Sequence, residues 1–508
     1  MRVRTDEKKL ITSQTSTMSL GAAAAANPAG AEAALSIMRL GGNAVDAALA
    51  AAHVMGVVEP LDCGIGAGGF MVIYRAPTNT SEVIDFMCTS PNCAEYQLYS
   101  TNDDDGRFVI RVEGQHNQIG HRSIATPGAL RGFEMAHNRH GKLPMQILLE
   151  PAIDKAKRGF PVSYKGALRM KRTAKILSRT DACKALYLKP DGNPYKEGEI
   201  IKNDDYAAVL EEIGRSGNAS FYNGSISELI EKEMKDNDGF LTSADLKTYS
   251  AIRKKPAKFE FLGNKVITTP PPSTGPLVFS GLRALMNLRE QTDHQELLAR
   301  AMLKMFSERR RGFGNLQGKG TANTAESAET TSLCTLDNEG NAVCLTYSNN
   351  NHSGVVIPGT GILMNNQMAL FSPWPNNPNE ISRGKSPVSS MMPSIILKNN
   401  SVKLVLGASG STRIPTSLMQ VLYRFFLQNK SLIDAITEPK LHAESETLLA
   451  DEDLHEKAMP LAKKLGLRYQ NSPGRDTSMG VVQAIQLNTS NLVTAVGDPR
   501  ARGKGLVI

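Results

Sequence analysis

Thr330, Thr331 and Ser332 stand in a row at the head of "ETTSLCTLDNEGNAVCLTYSNNN", Glu329 to Asn351, a stretch that reads as a β-hairpin turning at "DNEGN". Threonine forms strands well, so three hydroxyls at an exposed strand end need no special explanation. The preceding segment offers a second reading. "GNLQGKGTANTAESAE", Gly314 to Glu329, holds glycine, alanine and small polar residues with almost nothing to bury, and reads as a linker. Cleavage after Glu329 would make Thr330 a new N-terminus. Its hydroxyl would then be a nucleophile, and its own α-amine, of pKa about 8, a base that works at neutral pH without a histidine. Before the cut the same hydroxyl would attack the preceding carbonyl, so maturation and catalysis would share one atom. Composition alone leaves both readings open.

The elements that must position such a residue are partly visible. Apolar residues fall at helical spacing from Ala31 to Leu40, and Gly41 and Gly42 end that helix. Asn43 then caps a second helix, Ala44 to about Val58, so rich in alanine that it should lie close against a sheet. In "CGIGAGGFMVIY", Gly64, Gly66 and Gly69 match the spacing of a dinucleotide-binding loop, but they follow a helix and open a strand, Phe70 to Tyr74, which is the reverse of the required order. They predict a tight backbone approach instead. The stretch Ser123 to Ser250 reads as helical, and the strand in "NKVITTPPPSTGP" must stop at Pro270, Pro271 and Pro272. Beyond the linker, "GILMNN", "PSIILKN", "VKLVLGAS" and "GVVQAIQL" all read as strands, so one half should be mostly helical and the other mostly sheet.

Bulk properties exclude several classes. With 508 residues, 41% hydrophobic and 21% charged, the chain can bury a large core. Its net charge of +8 is spread out, the densest run being Arg309 to Arg311, and without a basic stripe no nucleic-acid partner is expected. Of six cysteines the nearest pair is Cys88 and Cys93, spaced C-x4-C, which suits neither a disulfide framework nor a metal site; Cys334 and Cys344 read as buried thiols. No metal and no cofactor are expected. The N-terminal residues are charged and polar with no apolar leader, and the most apolar run, Ala44 to Val58, is interrupted by Asp46 and His53 and falls short of the about 20 residues a membrane span needs. A soluble cytoplasmic protein without a membrane partner is the expectation.

Ordered segments along nearly the whole chain resemble the γ-glutamyltransferase family of N-terminal-nucleophile hydrolases: "GGNAVDAALAAAHVMGVVEP", "TPGALRGF", "GKLPMQILLEPAIDKAKRGFPVS", "GFLTSADLKTYSAI", "PPPSTGP", "DNEGNAVCLTYSNN", "PGTGILMNNQM", "SPVSSMMPSIIL", "LGASGSTRI" and "GDPR". The resemblance implies an α+β fold, a four-layer αββα sandwich made from a large helical N-terminal chain, 1–329, and a strand-rich small chain, 330–508. It implies self-cleavage between Glu329 and Thr330, with Thr330 as nucleophile and the two chains remaining partners as a heterodimer. Ser348 stands where the family has a threonine that hydrogen-bonds the nucleophile, and Asn350 matches an asparagine of the substrate site. Gln367, Ser389 and Ser390 match positions that bind the ends of a glutamyl group. Gly410 and Ser411 match the oxyanion hole, where the family usually has two glycines and Ser411 keeps its backbone N–H.

Two departures bear on the substrate. Met87 replaces the family's arginine for the substrate α-carboxylate, and Leu370 replaces the acidic residue for its α-ammonium. Leaving a desolvated charge without its partner costs about 3–5 kcal/mol, a hundredfold or more in binding. The segment between Met368 and Ser389 is also shorter than in typical relatives and carries "SPWPNNPNE", which implies an altered or absent lid. The expected activity is therefore transfer of an acyl group from a small-molecule amide to water or an amine, with γ-glutamyl compounds a poor fit. An acylase, a small-amide hydrolase of the oxamate kind and a biosynthetic acyltransferase remain open within that chemistry. A non-catalytic homologue is the contrasting expectation, opposed by the joint presence of Thr330, Ser348 and Gly410.

Overall fold

Both strands of the expected hairpin, Thr331–Asp337 and Ala342–Ser348, are buried along their full length. The computed structural model describes residues 12–100, 112–286, 293–313, 330–472, 477–488 and 492–508; the linker and Glu329 lie outside the described residues. Side chains on alternate faces of a strand go to opposite sides, and here each side meets a different core. Leu333, Val343, Leu345 and Tyr347 share one cluster with the alanine-rich helix, while Cys334, Leu336, Ala342 and Cys344 share another with a second sheet.

The hairpin occupies the middle of a seven-stranded antiparallel sheet. Its order is Lys504–Val507, Gly21–Ala25, Thr331–Asp337, Ala342–Ser348, Gly68–Arg75, Thr80–Asp85 and Ile252–Lys254. A second antiparallel sheet of seven runs Ser13–Thr17, Leu492–Gly497, Val481–Leu487, Ser401–Ser409, Ser394–Lys398, Asn264–Thr268 and Ala257–Phe261. The helices Pro28–Arg39 and Ala44–Val58 cover the outer face of the first sheet, and Gly275–Met286 and Arg413–Leu427 cover the second, giving the expected four layers.

Local chemistry explains these elements. Asn43 Oδ1 accepts from the N–H groups of Val45 (2.8 Å) and Asp46 (3.1 Å), and Asp46 Oδ2 accepts from Asn43 N–H (3.0 Å), a reciprocal cap that starts the alanine-rich helix. Every residue of that helix is buried, and its small side chains let it lie close on the hairpin. The first helix begins at Pro28 rather than Ala31, because Asn27 caps it and proline at the first helical position sacrifices no hydrogen bond. The glycine run does mark a close approach: a Cβ at Gly69 would come within 2.3 Å of Thr346 O, and one at Gly68 within 2.3 Å of Cys88 N.

As expected, the part before 329 is mostly helical and the later part is rich in strands, but the two interleave: residues before 329 supply strands to both sheets, and the later part contains Arg413–Leu427, Leu432–Thr437 and His455–Leu465 as helices. The second sheet's outer face is apolar and needs a helix layer of its own. "GILMNN" yields only the two-residue strand Ile362–Leu363, after which Asn365 leaves the ladder and donates instead to Gly66 O (2.8 Å) and Ala125 O (2.9 Å).

Two predictions follow from this packing. Asp337 closes the hairpin turn, its Oδ1 accepting from Asn341 N–H (2.9 Å) and Glu339 N–H (3.1 Å), and its Oδ2 from Ala44 N–H (2.9 Å) at the head of the alanine-rich helix. Asp337→Ala should lower the urea-unfolding free energy by about 3 kcal/mol, with Asp337→Asn losing roughly half as much. His53, inside that helix with its ring 5.3 Å from Phe133, is held neutral by burial, which lowers its pKa to about 4. Its contribution is fully present above the unfolded value of about 6.5 and is lost as pH falls from there toward 4, because only the unfolded chain takes up the proton. The stability difference between wild type and His53→Leu should therefore change by about 3 kcal/mol between pH 7 and pH 4.

Candidate active site

Antiparallel register places the expected nucleophile. Thr331 pairs with Tyr347 and Ser332 with Thr346, so one step further sets Thr330 opposite Ser348. The Thr330 hydroxyl donates to Ser348 Oγ at 3.0 Å, and Ser348 Oγ also accepts from Asn350 N–H at 2.8 Å. Asn350 makes that turn in the left-handed region, φ 58°, which asparagine tolerates better than most residues. Its Nδ2 donates to Asn366 Oδ1 (2.9 Å), and Asn366 in turn donates to Gln118 O (2.7 Å). Gln367 Nε2 donates to the carbonyl of Ser348 (2.8 Å), while Gln367 Oε1 is buried without a partner among the described residues. Thr330, Ser348, Asn350 and Gln367 thus form one hydrogen-bonded group.

The three polar residues that open the strand are each bonded. Ser332 Oγ donates to Leu345 O (3.1 Å) and contacts Thr346 Oγ1 (3.0 Å), and Thr331 Oγ1 donates to Glu59 Oε2 (3.4 Å). Burial without such bonds would cost several kcal/mol, so the polarity is specific to this end of the hairpin.

The other expected site residues stand on neighbouring elements, outside that bonded group. Strand Ser401–Ser409 lies on the hairpin so closely that a Cβ at Gly407 would come within 2.3 Å of Ser332 Oγ. Gly410 and Ser411 follow at its end with φ of 140° and 49°, and their carbonyls accept from Arg413 N–H (2.8 Å) and Ile414 N–H (3.1 Å) to start the next helix. A Cβ on Gly410 would meet Gly480 Cα at 2.9 Å. Gly480 O accepts from the buried Lys440 ammonium (3.0 Å), which also pairs with Asp498 of "GDPR" at 3.0 Å. Ser389 pairs with Ser273 of the proline-rich loop, and Ser390 O accepts from Thr274 Oγ1 (3.0 Å).

Met87 is 1% exposed and belongs to the apolar cluster between the sheets together with Met391 and Met392. Leu370 is half-buried and packs on the same cluster. The segment that was expected to be altered, after Met368, is a loop pinned by Asn379, whose Nδ2 donates to Leu370 O (2.7 Å) and whose Oδ1 accepts from Val388 N–H (2.9 Å).

A group that sequence reasoning missed lies beneath Thr330. Lys165 Nζ sits 2.9 Å from Asp62 Oδ2, 3.6 Å from Glu59 Oε2 and 3.4 Å from the carbonyl of Thr330; Arg169 Nε sits 2.9 Å from Asp62 Oδ1. All four side chains are nearly inaccessible. Burial opposes the Lys165 ammonium, yet Asp62 and Glu59 together hold its pKa above the ordinary lysine value. Burial pushes the Glu59 carboxyl up, and Lys165 pulls it back. The available signals were "EPLD" at the end of the alanine-rich helix and the four-residue spacing of Lys165 and Arg169 on the helix Tyr164–Leu177.

The profile of the Gamma-glutamyltranspeptidase family matches residues 30–321 and 314–508. The chain is 31% identical over 550 residues to the glutathione hydrolase proenzyme of Pseudomonas aeruginosa, covering 97% of this chain and 95% of that one. It is 30% identical over 523 residues to the acylase ACY 1 proenzyme of Pseudomonas sp. strain SE83, covering 95% and 92%. Cephalosporin acylase from Bacillus halodurans shares the fold, with a TM-score of 0.83 over 97% of each chain at 23% identity. None of the described helices is long and apolar enough to cross a membrane. With matches that run through both sheets and the hairpin, the chain belongs to the gamma-glutamyltranspeptidase family of hydrolases and acyltransferases.

Proposed function

We propose that this protein is a self-processing threonine amidohydrolase or acyltransferase whose acyl donor is not a zwitterionic γ-glutamyl compound. The observation that carries the proposal is the 3.0 Å bond from Thr330 Oγ1 to Ser348 Oγ at the head of a central strand. In the precursor, the Thr330 hydroxyl attacks the carbonyl of Glu329, the peptide nitrogen leaves as the α-amine of Thr330, and water hydrolyses the resulting ester. Chains 1–329 and 330–508 then stay together, since Gly21–Ala25 and Gly68–Arg75 flank the hairpin on both sides.

In turnover, the freed α-amine takes the hydroxyl proton as Oγ1 attacks the substrate amide. The Gly410 and Ser411 N–H groups are assigned to the oxyanion. The proton passes to the departing amine, leaving an acyl ester on Thr330 that water or a second amine accepts. Ser348 orients the nucleophile, Asn350 holds Ser348, and the unpartnered Gln367 Oε1 is an acceptor for a donor on the substrate. Ser389 and Ser390 are assigned to the acyl end.

The apolar surroundings of Met87 and Leu370 support the reading of a neutral acyl group. A glutamyl head would bring a carboxylate and an ammonium to the Met87 and Leu370 side chains, which offer no charge. An acylase among the relatives is consistent with that preference.

Denaturing electrophoresis of purified protein should give two bands, the smaller beginning Thr-Thr-Ser-Leu-Cys-Thr, and Thr330→Ala should remain a single chain. An intact wild type, or a cut elsewhere, defeats the nucleophile assignment. For specificity, kcat/KM on γ-glutamyl-p-nitroanilide should fall at least about a hundredfold below that on the best neutral acyl p-nitroanilide. Comparable rates would mean that other residues supply the missing charges.

A further inference from the structure

The mechanism above leaves the buried charges beneath the nucleophile unused. Lys165 is 1% exposed, and a helix of this kind would pack as well with an apolar residue there. Its ammonium touches Thr330 itself, while Glu59 reaches Thr331, and Asp62 bonds both Lys165 and Arg169. We infer that Lys165 is a positioning residue for the nucleophile: its ammonium holds Thr330 by the carbonyl and makes the freed α-amine less basic, so that the amine is unprotonated near neutral pH. This rests on the reading of Thr330 as an N-terminal nucleophile.

The geometry limits where the amine can be. The carbonyl oxygen and the nitrogen of one residue are separated by about 3 to 3.6 Å, so the lysine nitrogen, 3.4 Å from that oxygen, lies within about 7 Å of the amine. A cation at this range disfavours a second positive charge and lowers the amine's pKa, partly offset by Asp62 and Glu59 and reinforced by Arg169. Three further titratable groups near this site, Cys63, Tyr347 and His352, carry no charge at neutral pH; the charged Asp46 and Asp337 stand at the far end of the alanine-rich helix and of the strand, and Lys171, Arg172 and Lys175 lie further along the helix of Lys165. Burial raises the Cys63 thiol and the Tyr347 phenol, which donate to Glu59 O and Ala52 O, and burial together with Arg169 lowers His352 to about 3. Among the described residues, the side-chain hydrogen bonds of Thr330 and Thr331 run to the Ser348 hydroxyl and the Glu59 carboxylate.

The test is the pH dependence of kcat/KM for the mature enzyme on the best neutral acyl p-nitroanilide, with the light-chain N-terminus and melting temperature recorded for each variant. The acid limb reports the amine. In wild type it should lie below the ordinary α-amine value of about 8. Lys165→Gln, which can still donate to Thr330 O, and Lys165→Met should raise it by about one unit, cutting kcat/KM roughly tenfold at pH 6.5 and less at high pH. Lys165→Arg should return it toward wild type. A folded neutral variant that no longer cuts itself supports the same positioning role in the precursor. A wild-type limb at 8 or above, or a limb unmoved in Lys165→Gln, overturns the inference. If the neutral variants do not fold, the wild-type limb alone decides. Wild type that is cut at Thr330 and active but fails these tests defeats the lysine inference only, whereas wild type that is not cut there defeats the reading beneath it.

Discussion

Register in one hairpin governs this protein. Because Thr331–Asp337 and Ala342–Ser348 are buried on both faces, a slip of one residue would send every side chain to the wrong core, so the pairing that sets Thr330 opposite Ser348 is enforced by the packing of the hairpin's eight apolar residues. The alanine-rich helix presses on one face and the second sheet on the other. A hydroxyl pair 3.0 Å apart is the local product of that larger constraint.

The same constraint requires the chain to be interleaved. Strands from before the proposed scissile bond lie on both sides of the hairpin, and residues near both ends of the sequence pair beside them: Gly21–Ala25 hydrogen-bonds with both Lys504–Val507 and Thr331–Asp337. Cutting one peptide bond would therefore free an amine without releasing a chain. Buried polarity is concentrated where this arrangement must be exact in position, with Glu59, Asp62, Lys165 and Arg169 below Thr330, and Lys440, Asp498, Arg500 and Asp451 behind the Gly410 turn. Charges buried in pairs contribute little net stability but tolerate little displacement, and they locate a backbone well.

On the proposed reading, specificity is set by a different part of the core. Met87 belongs to the inter-sheet cluster, and Leu370 packs against it from a loop pinned by Asn379. If a substrate's acyl end lies against these two side chains, as proposed, a neutral group suits them and a desolvated zwitterion does not.

Much of this was legible in the amino-acid order. Local signals sufficed for the hairpin and its turn, since "DNEGN" carries Asp337 and a glycine, and for the alanine-rich helix, since Asn43 and Asp46 cap it within four residues. The row of hydroxyls after a linker made Thr330 one of two readings, and the resemblance along the chain favoured it, because that chemistry needs only one residue and a free amine. Elements whose ends depend on neighbours were less legible: "GILMNN" has strand composition, but Asn365 finds partners in Gly66 and Ala125 and leaves the ladder. The ionic group under Thr330 could not be read at all. Glu59 and Asp62 close one helix, Lys165 and Arg169 lie on another far along the chain, and nothing in the spacing of either pair says that folding will bring them together. The sequence by itself determined most of the strands and helices, through short-range periodicity and capping, and named the Thr330 hydroxyl oxygen as the candidate nucleophile. Only the tertiary structure decided which charges stand beside that atom, because that depends on how helices dock on the sheet, and docking is set by the shape of the entire core.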